Sequence, residues 1–188
     1  MPRVGLSEEV IADTAGRLMD SEGSSSLTLA RLAAELGVKP PSLYGHVDGL
    51  AGLTRLVAID GIRRLGEACR AAVMGRSGEA GLKAIANAYR GWALQHPGVY
   101  PLTQVARPDD VEHGVAAGRL LEPVLAVLRS LGLPENELIH AARTVRGALH
   151  GFVQLETQHG FGLDVPVEES FAWMLDALSS ALTAGSRR

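Results

Sequence analysis

Apolar residues along this chain recur with the period of the α-helix, and glycine and proline mark where each helical stretch stops. Ser7 opens the first stretch, followed by Glu8 and Glu9, whose charges suit the positive end of a helix dipole. Val10, Ile11, Ala15, Leu18 and Met19 then repeat at helical spacing until Gly23. Thr28 caps a second, short helix with Leu29, Leu32, Ala33 and Leu36 on its apolar side, and Gly37 stands where a left-handed residue ends such a helix. Pro40 and Pro41 predict the first turn of a third helix, where a missing N–H costs nothing, and only Ser42 to His46 follow. A fourth helix is predicted from Leu50 to Val73, with Leu53, Leu56, Val57, Ile59, Ile62 and Leu65 as its stripe.

Five further stretches fill the second half: Glu79 to Gln95, Val99 to Val105, Val111 to Leu131, Glu135 to Gln158 and Glu168 to Ala184. Pro123 should kink the third of these or start it late. No strand run, hairpin signal or internal repeat stands out. The expected fold is all-α with about nine helices in three parts. Residues 1–49 form an N-terminal three-helix domain, 50–76 a linking helix and 77–188 a C-terminal helical bundle.

Composition narrows the class more than the function. The chain has 188 residues, 46% of them apolar and 21% charged, which is the balance of a globular protein rather than a disordered one. No apolar run reaches the ~20 residues that span a bilayer, so no membrane partner is expected. Met1 to Gly5 lacks the apolar segment of a signal peptide, and Cys69 is the single cysteine, so a reducing cytoplasm is the expected setting. The net charge is −3, and Met1 to Leu50 carries four basic residues against seven acidic ones. That balance runs against DNA binding, because phosphate contacts supply most of its affinity.

One segment nevertheless points to DNA. Thr28 to Val47 reads as two short helices joined by a glycine turn, with Leu29, Leu32, Ala33, Leu36, Val38 and Leu43 placed to lock them at a steep angle. The second helix would carry small, polar and aromatic groups on its free face, a shape that fits a major groove about 12 Å wide. Thr28, the run Ala34-Glu35-Leu36-Gly37-Val38 and then Leu43-Tyr44-Gly45-His46 together resemble the helix-turn-helix of the TetR family of bacterial regulators. The resemblance implies that Thr28 binds a phosphate, that Lys39, Pro40, Pro41 and Ser42 lie nearest base edges, and that Tyr44 and His46 hold phosphates and set register. Each has a plainer reading beside it. Thr28 also serves as an N-cap, Tyr44 could pack on the first helix, His46 could be an ordinary surface histidine, and the prolines could do no more than start a helix, their rings offering at most apolar contact to a thymine methyl. Two positions depart from the family pattern: Leu50 stands where a basic residue usually opens the linking helix, and Gly45 where a large or basic residue is common. Few phosphate contacts are therefore expected, with Arg3, Lys39 and Arg55 as the candidates.

The second half carries Trp92, His96-Pro97-Gly98, Tyr100 and, farther on, His150-Gly151-Phe152. These residues resemble the C-terminal half of the WHG-type subclass of that family. The resemblance implies a small-molecule pocket with apolar walls and a few polar groups. The candidates are Trp92, His96, Tyr100, His113, Arg143, Arg146, His150 and Gln154, the last four on one side of a single helix. Against this, Trp92 and Tyr100 are also core candidates, His96 a helix C-cap, and His150-Gly151 a close crossing at a dimer interface. His96, His113 and His150 lack metal-ligand spacing, so no metal or cofactor is expected. No nucleophile elbow, phosphate loop or HExxH occurs, which argues against an enzyme.

The resemblance thus implies a homodimeric repressor, paired through its last two long helices, that reads a palindromic operator in double-stranded DNA with half-sites roughly 34–36 Å apart. An effector of unknown identity would release it, with the linking helix carrying the shift. The rival reading is a helical dimeric interaction or ligand-binding module with little DNA binding.

Overall fold

Eight α-helices and two 3₁₀ turns make up the regular structure of residues 5–185, the part described by the structure, a computed structural model. The helices are α1 (Glu8–Glu22), α2 (Leu29–Leu36), α3 (Gly49–Val73), α4 (Gly78–Gln95), α5 (Tyr100–Thr103), α6 (Val111–Ser130), α7 (Leu138–Thr157) and α8 (Val167–Gly185). The 3₁₀ turns cover Ser24–Ser26 and Pro40–Leu43, and no strand occurs among the described residues. None of the described helices is long and apolar enough to cross a membrane.

The expected count of nine helices is one too many, because the third is a 3₁₀ turn that loosens into simple turns up to His46. The physical cause lies in the two prolines. Pro41 disfavours the α conformation at Pro40, and neither residue has an N–H to enter a helical ladder. What remains is a tighter bond from Ser42 N–H to the Lys39 carbonyl at 2.9 Å, then bonds from His46 and Val47 N–H to the Leu43 carbonyl at 2.9 and 3.0 Å. Helix α7 begins at Leu138, three residues later than Glu135, since Pro134 to Glu137 close a turn through a 3.0 Å bond.

The chain falls into two compact units. The first comprises the residues up to Arg64 together with Gln95–Ala117. In it α1 packs on α2, and α2 on the Pro40–Leu43 turn. Ile11, Ala15, Leu18, Leu32, Ala33, Leu43, Leu53 and Val57 are buried there. Arg64 donates to Asp13 at 2.7 Å and so ties α3 to α1. The C-terminal end of α1 is tied to the segment before α5. Asp20 accepts the Gly98 and Val99 N–H groups at 3.0 and 3.1 Å, and its second oxygen lies 2.7 Å from His96 Nδ1. A Cβ on Gly98 would sit 2.1 Å from the Met19 carbonyl oxygen, so the close approach demands glycine.

The second unit comprises Leu65–Leu94 and the residues from Gly118 onward. Its core holds Leu65, Cys69, Leu82, Ile85, Trp92, Leu128, Val145, Leu149, Val153, Phe171 and Leu175. Pro123 does not break α6, which runs through it. The carbonyl that its missing N–H leaves free, that of Arg119, accepts a bond from Arg70 Nη2 at 3.1 Å instead. Arg90 forms a two-pronged pair with Glu156 and lies 4.9 Å over the Phe171 ring, while Phe152 packs between Phe161 and Phe171.

Candidate nucleic-acid interface

The helix-turn-helix is built around α2. Thr28 is its N-cap: the backbone is extended, and the hydroxyl accepts the Arg31 N–H at 3.0 Å. Gly37 ends the helix in the left-handed conformation, φ 66°, returning its N–H to the last turn, and the chain then passes directly into the Pro40–Leu43 turn. Leu43 is completely buried and anchors that turn. Around it, Lys39, Pro40, Pro41, Ser42 and Tyr44 are exposed and His46 is half-buried. Thr28 is exposed as well, so the seven residues named from the sequence all reach the surface of the first unit. Tyr44 is 63% exposed. The locking set is smaller than its pattern suggested: Leu32, Ala33 and Leu43 are buried, whereas Leu29, Leu36 and Val38 are half-exposed.

The electrostatics of this surface are set by internal pairing. Arg31 is held by Glu22 at 2.6 Å and Glu35 at 2.9 Å, and both carboxylates keep its guanidinium firmly charged. Arg17 pairs with Asp13, and Arg63 and Arg64 pair with Asp60. Arg55 is clamped by Asp110, at 2.6 and 2.7 Å, and by Glu112 at 2.6 Å. This clamp draws the Asp110 carboxyl down to about 2, chiefly through the Arg55 bonds, with the His113 N–H adding to it. Arg55 is therefore occupied rather than offered to phosphate. Among the described residues up to Arg64, Lys39 is the one cationic side chain of the lysine and arginine type without a carboxylate partner. Arg3 lies outside the described residues.

The residues named for a ligand divide between the units. In the first, His96 is engaged by Asp20, Tyr100 is buried, and His113 is buried with no hydrogen-bond partner for its Nε2 among the described residues. In the second, Trp92 is buried, His150 and Gln154 are half-buried, and Arg143 and Arg146 are exposed. Trp173 is 74% exposed on α8. Among the described residues no group of metal-ligating side chains gathers. Cys69 is buried in α3, and burial pushes its thiol up to about 12, so it is a packing group and no nucleophile.

Sequence reasoning missed the partners that set the charge of this surface. Glu35, four residues after Arg31, was readable as a helical pair. Glu22 and Asp110 were not, because nothing in the sequence brings residues 9 and 55 positions away to those guanidiniums.

The pattern of the family described as "Tetracyclin repressor-like, C-terminal domain" matches residues 82–178, just over half of the chain. The chain belongs to the TetR family. This family's members are helix-turn-helix transcriptional regulators that bind DNA and are not enzymes. One relative, the HTH-type transcriptional regulator Rv0681 of Mycobacterium tuberculosis, is 38% identical over 179 residues, covering 94% of this chain and 82% of its own. The solved structure of SCO7222, a TetR regulator from Streptomyces coelicolor, superposes with a TM-score of 0.78 at 20% identity, over 96% of this chain and 99% of that one. ActR of the same organism, solved in complex with (S)-DNPA, superposes with a TM-score of 0.70 at 20% identity, over 96% and 98% of the two chains. At that identity the TetR structures speak for the fold alone.

Proposed function

We propose that this TetR regulator is a repressor that binds a palindromic operator as a homodimer, with Thr28, Lys39, Pro40, Pro41, Ser42, Tyr44 and His46 as its DNA-contacting residues. The observation that carries this reading is the Pro40–Leu43 turn, pinned by buried Leu43 and exposing Lys39, Pro40, Pro41, Ser42 and Tyr44, with His46 half-exposed beside them. Dimerisation is supported by two solvent-facing stripes of opposite character. On α7 the exposed side carries Arg143, Gly147 and Gly151 with half-buried His150, and on α8 it carries Glu169, Trp173 and Ala177, while Asp176 beside them is held by Lys83 at 2.6 Å. In a two-fold pair each α7 would meet the partner's α8, so the charges complement twice, and Trp173 would be covered. A WHG-type C-terminal half and release by a small-molecule effector complete the reading. ActR's complex with (S)-DNPA supports the effector by likeness, and the family resemblance makes Trp92, buried in the second unit, its candidate aromatic contact.

The neutralised arginines favour one second reading, a helical dimeric module with little DNA binding. The experiment that separates the two is a binding selection on random duplex DNA with the purified full chain. Enrichment of a palindrome is expected. A folded dimer that enriches nothing would replace the repressor with the interaction module.

A further inference from the structure

A protein that reads the major groove usually does so with arginine on guanine or with asparagine or glutamine on adenine. Residues 28–48 contain neither asparagine nor glutamine, and their one arginine, Arg31, is occupied by Glu22 and Glu35. What the turn exposes is Lys39, Pro40, Pro41 and Ser42. Its leading edge is also peculiar in what it lacks. A helix start ordinarily holds phosphate with free N–H groups, but Pro40 and Pro41 have none. Two adjacent exposed pyrrolidine rings, in the turn that buried Leu43 anchors, make a donor-free apolar face flanked by one ammonium group and one hydroxyl.

The C5 methyl of thymine is the apolar feature that a base pair presents in the major groove. We infer that Pro40 and Pro41 read thymine methyl groups and that Lys39 beside them reads guanine, so each operator half-site carries thymine next to guanine where this turn enters. This inference rests on the operator-binding reading and names the chemistry by which that site chooses its sequence. Proline suits such a contact, because its ring meets a methyl without leaving a polar group unpaired and its fixed backbone loses little freedom on binding.

The test uses the unmodified protein on an operator recovered by selection. Each thymine is replaced in turn by deoxyuridine, which removes the methyl and keeps the base pair. Loss of one buried methyl should weaken binding about fourfold, at one or two thymines per half-site and nowhere else. Pro40→Ala and Pro41→Ala proteins should bind the thymine and deoxyuridine duplexes alike, and Lys39→Met should lose the guanine preference. A selected operator whose every thymine tolerates deoxyuridine overturns the proline assignment while leaving operator binding intact. A selection that enriches nothing removes the operator reading and this inference with it.

Discussion

Leu43 and Tyr44 are neighbours with opposite fates, one without exposed surface and the other 63% exposed. Leu43 holds the turn, and Tyr44 is left with an aromatic body and a hydroxyl standing in solvent. A tyrosine that is mostly exposed has little core to lose, so its substitution separates binding from folding. Tyr44→Phe should leave the thermal midpoint unchanged and weaken DNA binding by about 1 kcal/mol, roughly fivefold, through loss of one hydrogen bond to phosphate. Because a phosphate carries no sequence, the ranking of operator variants in a competition assay should stay as it is in the unmodified protein. A changed ranking would move Tyr44 from the backbone to the base edges.

Helices α1 and α2 owe their starts to side-chain caps, and α6 owes its continuity to a single compensation. Helix α6 is the clearest case: Pro123 lies inside it, and Arg70 from α3 takes the Arg119 carbonyl that the proline leaves unpaired. Arg70→Ala should cost about 1 kcal/mol in denaturant unfolding, and in a Pro123→Ala background, where residue 123 donates to Arg119 itself, that cost should nearly vanish. Equal costs in the two backgrounds would mean that Arg70 acts through packing or its Glu122 contact instead. Elements of this kind explain what the sequence could disclose. Ser7, Thr28 and Gly37 act locally and were readable as the caps they are. The Pro40-Pro41 pair was readable as a helix start but not as a 3₁₀ turn, since that outcome depends on which few bonds survive once two N–H groups are gone. His96-Pro97-Gly98 stood out as a motif, yet its role at the α1 junction depends on Asp20, 76 residues from His96, and on the Met19 carbonyl pressing against Gly98. The exposed Tyr44 and Lys39 follow from a local pattern, whereas the burial of His113 follows from distant packing.

At the scale of the whole molecule the acidic balance has a structural meaning: carboxylates are spent on arginines of the same chain. The Arg55–Asp110 pair shows how durable this is. Asp110 is drawn down to about 2, so its contribution is present above the ordinary carboxylate value of about 4 and is lost only as pH falls through the interval between these two. Near neutral pH both partners of the clamp are charged, so Arg55 must give up its Asp110 and Glu112 contacts to reach phosphate. Binding should then release few counterions. Lys39, the one unpaired lysine per subunit, is assigned to base edges, so even counted as a phosphate neutraliser in both subunits it gives a slope no steeper than about −2 in log K against log salt, a loss of at most roughly tenfold between 50 and 200 mM. Were Arg31 and Arg55 to leave their carboxylates for phosphate in both subunits, six contacts would steepen the slope to about −5 and the loss to about a thousandfold. Titrations at pH 8, which keep ordinary histidines neutral, distinguish these cases. Asp110→Asn with Glu112→Gln should free Arg55 and steepen the slope by up to about 2 if its guanidinium can reach the backbone. An unchanged slope in that variant would place Arg55 out of reach of DNA and leave its clamp as a tie between α3 and α6.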